Sequence, residues 1–380
     1  MNEAKENRGL RSMRIKDISL GTISIPLLTP FKTALRTVES IEDLIVRVTL
    51  DGGETGYGEA PPTAVITGET SQSIEAAIRF YLAPAVLGAE FQHPAELWSR
   101  MEKAMAKNTS AKAAMDIAVY DAWGRALGKP LYQLLAGEDG PAAGPRLETD
   151  ITISVNDPDT MARDAERARR DGFRILKVKV GKGGREDVER VRQVRKTAGK
   201  DAVLRIDANQ GWKPEEAVRT IEMMEDAGLE IELVEQPVSC HDFTGMQYVT
   251  AHVQTPILAD ESVFSPEDAE RLIREHGADW INIKLMKTGG ITPALRICEL
   301  AEKEKVPCMM GCMLESAVSV SGGVHLAAAR PIIRMCDLDG PSLCAENPYR
   351  GGPIYEGAMI YLPDTPGIGI TEIPVSFDKA

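Results

Sequence analysis

Apolar and polar residues alternate along IKDISLGTISIPL and again along EDLIVRVTL, the period-two pattern of half-buried strands, with a polar break at Thr33–Ser40 between them. Asp51-Gly52-Gly53 supplies a hairpin turn after the second run. From about Ser71 to Leu135 the period becomes helical. SIEAAIRFYLAPAVLG, PAELWSRMEKAMA and SAKAAMDIAVYDAWGRALG each place apolar residues three and four apart. The first unit therefore reads as α+β, and the turn-rich GEDGPAAGP over Gly137–Pro145 marks its end.

Beyond that boundary strand and helix alternate. Apolar, β-branched runs end near Val155, Lys179, Asp207, Glu235, Asp260, Lys284, Cys312 and Asp337, recurring about every 26 residues. Amphipathic stretches such as DTMARDAERARRDG and KPEEAVRTIEMMEDAG lie between them, opening at Asp, Ser or Pro and closing at Gly. Eight such strands specify a parallel α/β barrel. An open doubly wound sheet is the alternative, but no glycine-rich phosphate loop follows Ile151–Val155. A Gly- and Pro-rich piece from Glu346 onward, with short strands, is expected to return to the first unit as an edge. The expected division is a flexible tail (1–13), an α+β cap (14–140), the barrel (146–345) and a C-terminal segment (346–380).

Composition narrows the function classes. The 380 residues are 43% hydrophobic and 27% charged, ordinary for a chain that buries a sizeable core. A formal charge of −13 argues against nucleic-acid or anionic-membrane partners. No run is long and apolar enough for a membrane helix, and the polar start MNEAKENRGLRSM lacks an apolar signal core, so a cytoplasmic location is expected. A homo-oligomer is compatible with all of this. Six cysteines form no C-x-x-C pair, so neither a disulfide framework nor a zinc site is expected.

Six of the eight strands, the second to sixth and the eighth, end in ionisable residues: ILKVKVG, VLRIDANQGW, ELVEQP, ILADES, WINIKLMKTGG and IIRMCDLDGP. In a parallel barrel the carboxyl ends of the strands carry function. Asp207, Glu235 and Asp260 close the third, fourth and fifth strands, and three hard carboxylates converging there suit Mg²⁺. Each could instead cap the following helix, but three packed together without a cation would repel. Lys177 and Lys179 share a face of the second strand, and Lys284 closes the sixth, so Lys179 and Lys284 flank the carboxylates from opposite sides. Desolvation and nearby positive charge would lower a lysine's pKa toward that of a base. Two bases flanking a metal-held carboxylate specify abstraction of the adjacent proton through an enolate held by Mg²⁺ and Lys177. Return of a proton to the other face inverts the carbon. Asp337 and Asp339 remain for a substrate ammonium group, or for a helix cap.

Lys-x-Lys, DANQGW, VEQP, ADES and NIKLMKTGG together resemble the muconate-lactonising subgroup of the enolase superfamily. The Asp337-x-Asp339 pair and PFKTALRTVES resemble, more narrowly, the L-Ala-D/L-Glu dipeptide epimerases, over about residues 14–372. The resemblance implies a modified TIM barrel, (β/α)7β, capped by the N-terminal part and the C-terminal tail. It implies Mg²⁺ on Asp207, Glu235 and Asp260, with Lys179 serving the (R) and Lys284 the (S) configuration. Lys177 would stabilise the enolate, and Asp337 with Asp339 would hold the dipeptide's ammonium. Arg36 would meet an acidic side chain, while Thr152, Cys312 and Leu314 match substrate-contacting positions. Cys312 stands where a serine is expected.

None of the five histidines ends a strand, which sets aside racemase and dehydratase chemistry that needs a histidine base. N-acylamino acid racemase, o-succinylbenzoate synthase and cycloisomerase share the lysines and ligands but have no use for an ammonium anchor. A non-catalytic, metal-dependent small-molecule binder is the alternative outside enzymology.

Overall fold

The computed structural model describes residues 12–136 and 145–380. Most of the N-terminal tail and nearly all of the Gly137–Pro145 linker lie outside the described residues. Two long antiparallel strands, β1 (Met13–Lys32) and β2 (Thr37–Leu50), pair between Ile15 and Lys32 with register shifts between Ile15 and Asp17 and between Pro26 and Phe31, and β3 (Thr55–Ala60) adds to β2. The strands run further into the polar break than alternation predicts, so only residues 33–36 turn between them. Helices α1 (Ser71–Ala77), α2 (Ala83–Val86), α3 (Pro94–Ala104), α4 (Thr109–Ala126) and α5 (Leu131–Ala136) follow, with the short strand β4 (Glu90–Phe91) before α3. The first helical run is broken by a π turn over Ile78–Leu82, next to Pro84. Helix α4 is buried nearly all round because it lies between the cap sheet and the second unit. Its small residues let β3 come close: a Cβ at Gly56 or Gly58 would strike the α4 backbone at about 2 Å.

After β5 (Arg146–Glu148), eight parallel strands form one sheet: β6 (Ile151–Ile153), β7 (Ile175–Lys179), β8 (Val203–Asp207), β9 (Ile231–Glu235), β10 (Ile257–Ala259), β11 (Trp280–Lys284), β12 (Cys308–Gly311) and β13 (Ile333–Asp337). Their neighbours in sequence are neighbours in space, so the sheet curls into a nearly closed barrel. The ladder is open between β13 and β6, where a Thr149–Cys336 bridge and a Leu338 N–H bond to Thr149 Oγ1 (2.9 Å) fill the seam.

The crossovers are α6 (Pro158–Arg170), α7 (Gly184–Ala198), α8 (Pro214–Asp226), α9 (Phe243–His252), α10 (Pro266–Arg274), the pair α11 (Leu285–Thr288) and α12 (Ile291–Glu304), and α13 (Ala317–Ala329). Only a four-residue turn, α14 (Gly340–Leu343), follows β13, which gives the (β/α)7β arrangement. Near the C-terminus, Asp378–Lys379 pairs with β1 and becomes the edge of the cap sheet. Among the described residues no helix is long and apolar enough to cross a membrane.

Candidate active site

Strand register decides which side chains share a level. Lys179, Asp207 and Glu235 are direct Cα partners across β7, β8 and β9, and Lys284, Gly311 and Asp337 are partners across β11, β12 and β13. Asp260 comes one residue after β10, and Thr152 pairs with Lys177. Gly311 is required beside Lys284: a Cβ there would lie 2.8 Å from Lys284 Cε and 2.6 Å from Asn282 Oδ1.

The charged groups form one buried network. Lys177 Nζ lies 2.6 Å from Asp337 Oδ2, 2.8 Å from Glu235 Oε2 and 3.2 Å from Asp207 Oδ2. Lys179 Nζ bonds Asp207 Oδ2 at 2.5 Å and faces the Phe31 ring of the cap at 5.9 Å. On the other flank Lys284 Nζ bonds Asp260 Oδ2 at 2.7 Å and stands 3.9 Å from Glu235 Oε1. The two flanking amines thus approach the middle carboxylates from opposite sides of the ring. Helix capping does not explain these acids, because α8, α9 and α10 have Lys213, Asp242 and Ser265 at their N-caps.

Burial would raise all three central acids, and their neighbours split them. For Asp260, Lys284, Lys287 and Lys177 overturn burial and hold the carboxyl well below its usual range; for Asp207, Lys179 and Lys177 do so more mildly. Glu235, buried and flanked by both other acids, is pushed up to about 8. Burial lowers Lys284, but Asp260 and Glu235 raise it above the ordinary lysine value. That direction is opposite to the lowering expected for a base beside a cation, because here the lysine faces carboxylates.

All three acids offer only oxygen, the donor chemistry of Mg²⁺. Asp260 Oδ1, Asn209 Oδ1 and Glu261 Oε2 are buried without hydrogen-bond partners among the described residues, although Asp260 Oδ1 lies 2.6 Å from Lys287 Nζ. Among the described residues no three acidic, histidine or cysteine side chains form a ready-made cage, since lysine ammonium groups stand between the carboxylates. The donor set suits a hard divalent ion in its chemistry.

Asp337 and Asp339 follow on the β13 side. Burial opposes ionisation of Asp337, yet Lys177 and Lys284 bring it down to about 2. Asp339 is pushed up to about 6 by burial and by Asp337. Its carboxylate makes no cap bond to α14 and accepts instead from Thr152 N–H at 2.7 Å.

Arg36, on the β1–β2 turn, is half-buried and makes no ion pair among the described residues, and burial pulls its guanidinium down. Thr152, Cys312, Leu314 and Arg36 all border the same cavity as the lysines. Cys312 is a buried free thiol that burial pushes well up, so it is neutral. The cap closes over this cavity through Lys32 N–H to Ser154 Oγ (3.0 Å) and Lys182 Nζ to Ala34 O (3.1 Å). The cavity, still open to solvent, holds about 60 Å³.

Several site residues escape a reading of strand ends. Lys287, buried under Lys284, bonds the Asp260 and Asn282 carbonyls. Asn282 Nδ2 donates to Glu235 Oε1 at 2.9 Å, and Gln236 Oε1 accepts from Asp260 N–H at 2.9 Å. Asn209 N–H donates to Asp207 Oδ1 at 2.8 Å. All belong to motifs quoted above, but their roles follow only from the third dimension.

Residues 19–136 match the mandelate racemase/muconate lactonizing enzyme N-terminal domain, and residues 160–372 match the enolase C-terminal domain-like family. The L-Ala-D/L-Glu epimerase of Clostridium acetobutylicum is 49% identical over 361 residues, covering 95% of this chain and 99% of that one. A substrate-liganded structure of the Bacillus subtilis L-Ala-D/L-Glu epimerase superposes with a TM-score of 0.92 at 46% identity, covering 96% and 99%. The Enterococcus faecalis dipeptide epimerase, solved with Mg and L-Leu-L-Tyr, has a TM-score of 0.90 at 40% identity, covering 94% and 100%.

Proposed function

Because the chain belongs to the mandelate racemase/muconate lactonizing enzyme family, built on an enolase-like barrel, we propose that it is a Mg²⁺-dependent dipeptide epimerase acting on L-Ala-D/L-Glu. The observation that carries this reading is the placement of two amines, Lys179 and Lys284, on opposite flanks of three buried carboxylates. Mg²⁺, when bound by the oxygens of Asp207, Glu235 and Asp260, supplies Lewis-acid charge beside the substrate's carboxylate. One lysine, as the free amine, takes the α-proton of the C-terminal residue, while the other, as the ammonium, gives a proton to the opposite face. The two lysines end with their protonation states exchanged, and the carbon is inverted. Lys177 faces the negative charge that develops between these steps.

Asp337 and Asp339 orient the dipeptide by its N-terminal ammonium, which N-acylated substrates lack. Arg36, a half-buried guanidinium on the cavity wall without an ion pair among the described residues, receives the acidic side chain. A panel of dipeptides followed by optical rotation, with and without chelator, tests the reading. L-Ala-L-Glu should lose rotation only when Mg²⁺ is present. Racemisation of N-acylamino acids without turnover of any dipeptide would contradict it.

A further inference from the structure

The turn that carries Arg36 is fastened to the barrel at two separate loops. On one side, Lys32 N–H donates to Ser154 Oγ at 3.0 Å, and Val155 N–H donates to Lys32 O at 3.2 Å. Lys32 Nζ adds a bond to Asn156 Oδ1 at 3.3 Å. These partners belong to the loop after β6. On the other side, Lys182 Nζ, in the loop after β7, donates to Ala34 O at 3.1 Å. The turn between the two fastenings is closed by Thr33 N–H to Arg36 O at 3.0 Å, and Thr33, Leu35 and Arg36 all border the cavity.

One buried ion pair joins those two loops. Asp187, near the start of α7, is completely buried, and Arg190 is 6% exposed. Asp187 Oδ2 accepts from the N–H groups of Gly181 (3.0 Å), Lys182 (3.1 Å) and Gly183 (3.0 Å), and from Trp212 Nε1 (3.0 Å). Trp212 closes the DANQGW motif and has no part in the proton transfers. Asp187 Oδ1 takes Arg190 Nη1 at 2.8 Å, with Lys182 N–H more distant at 3.4 Å. Arg190 Nε then continues to Asn156 O at 2.8 Å, and its Nη2 reaches Glu186 Oε1 at 2.8 Å. Capping of α7 accounts for an acid at Asp187. It does not account for an arginine that reaches out of α7 to a carbonyl in the loop after β6.

We propose that Arg190, braced by Asp187, is a positioning residue for substrate selection: it locks the loops after β6 and β7 into one frame, and that frame fixes the turn presenting Arg36 to the acidic side chain of the dipeptide. This rests on the role of Arg36 proposed above. Lys179 lies only two residues before Gly181, but the four donors on Asp187 Oδ2 hold that loop without Arg190. Loss of the arginine should therefore loosen the turn and spare the proton transfers. Asp187 would also keep those four donors, so its charge would not be stranded.

The test measures kcat/KM for L-Ala-L-Glu against the neutral isostere L-Ala-L-Gln in the wild type, Arg190→Met, Arg36→Ala and the double variant. In Arg190→Met the Glu-over-Gln ratio should fall about fivefold, the scale of one hydrogen bond, while kcat for L-Ala-L-Gln stays near the wild-type value. In the Arg36→Ala background the same substitution should change the ratio no further. A merely structural role would lower both substrates alike. Amide hydrogen exchange of residues 33–36 should be faster in Arg190→Met, a readout independent of turnover. Asn156→Ala cuts the same path at its half-buried end and keeps the test decisive if Arg190→Met folds poorly; it should lower the ratio about twofold. An unchanged ratio in these variants, an equal loss on both substrates, or a further loss when Arg36 is already absent would overturn the proposal and leave Arg36 its role. If Arg36→Ala itself leaves the ratio unaltered, the Arg36 reading falls, and this proposal with it.

Discussion

Replacing Lys284 with alanine separates the two halves of the proposed reaction. The fold should tolerate the change, because Asp260 loses the Lys284 contact at 2.7 Å but keeps Lys287 at 2.6 Å, so no buried carboxylate is stranded. A positioned acid–base group contributes roughly 10²–10⁴ in rate, and inversion needs both lysines, so epimerisation should fall by about 10³ or more. That factor is about 4 kcal/mol of barrier. Exchange is a different matter. Lys179 stands on the far flank, bonded to Asp207 rather than to the lost amine. It can still remove and return a proton on its own face. In D₂O, proton NMR of Lys284→Ala should show the α-proton of L-Ala-D-Glu exchanging without inversion, while that of L-Ala-L-Glu persists. Lys179→Ala should give the mirror result. Equal loss of exchange from both epimers in either variant would refute the division of labour and point to a general collapse of the charged network.

Three other outcomes follow from particular contacts. Arg36→Ala should cut kcat/KM for L-Ala-L-Glu about 10- to 100-fold, with far less effect on L-Ala-L-Gln, the scale of one charge-assisted hydrogen bond; equal losses on both substrates would argue against it. His325 is buried, its Nδ1 accepts from Tyr132 N–H at 3.0 Å, and burial lowers its pKa from 6.5 to about 4. Between those values the unfolded chain binds a proton that the folded one refuses. Stability should therefore be full above pH 6.5 and fall by roughly 3 kcal/mol as pH drops toward 4, and His325→Gln should flatten that slope in denaturant titrations. Arg205→Met removes the 2.8 Å partner of fully buried Asp150, whose other oxygen has none among the described residues, and should cost about 3–5 kcal/mol in urea unfolding, with much of it restored by adding Asp150→Leu.

The barrel was legible in the chain because its strands are buried on both faces and end where the apolar run meets a charge, as at Lys179, Asp207 and Glu235. The ring of charged residues at the strand ends was legible for the same reason. In the cap, the extent of β1 and β2 was less so, because pairing resumes near the turn after a register shift beyond Pro26, Phe31 with Val38 and Lys32 with Thr37, where the apolar–polar alternation has lapsed. Lys287 was hidden by its place in a short helix just after the strand, and Asn282 by its position inside β11. Glu59 could not be read at all: on β3 it looks like any surface acid, and only Ser316 and Ser319 at the start of α13, whose backbone N–H groups donate to it at 3.0 and 2.9 Å, make it a buried acceptor.

The most direct test of the central claim is to run the wild-type enzyme with Mg²⁺ on L-Ala-L-Glu in D₂O and measure deuterium at the glutamate α-carbon of both epimers from the earliest turnover. Two lysines on opposite faces, each exchanging with solvent, predict an L-Ala-D-Glu product that carries deuterium from the first molecules formed. Product that appears with its original proton retained would contradict the two-base account.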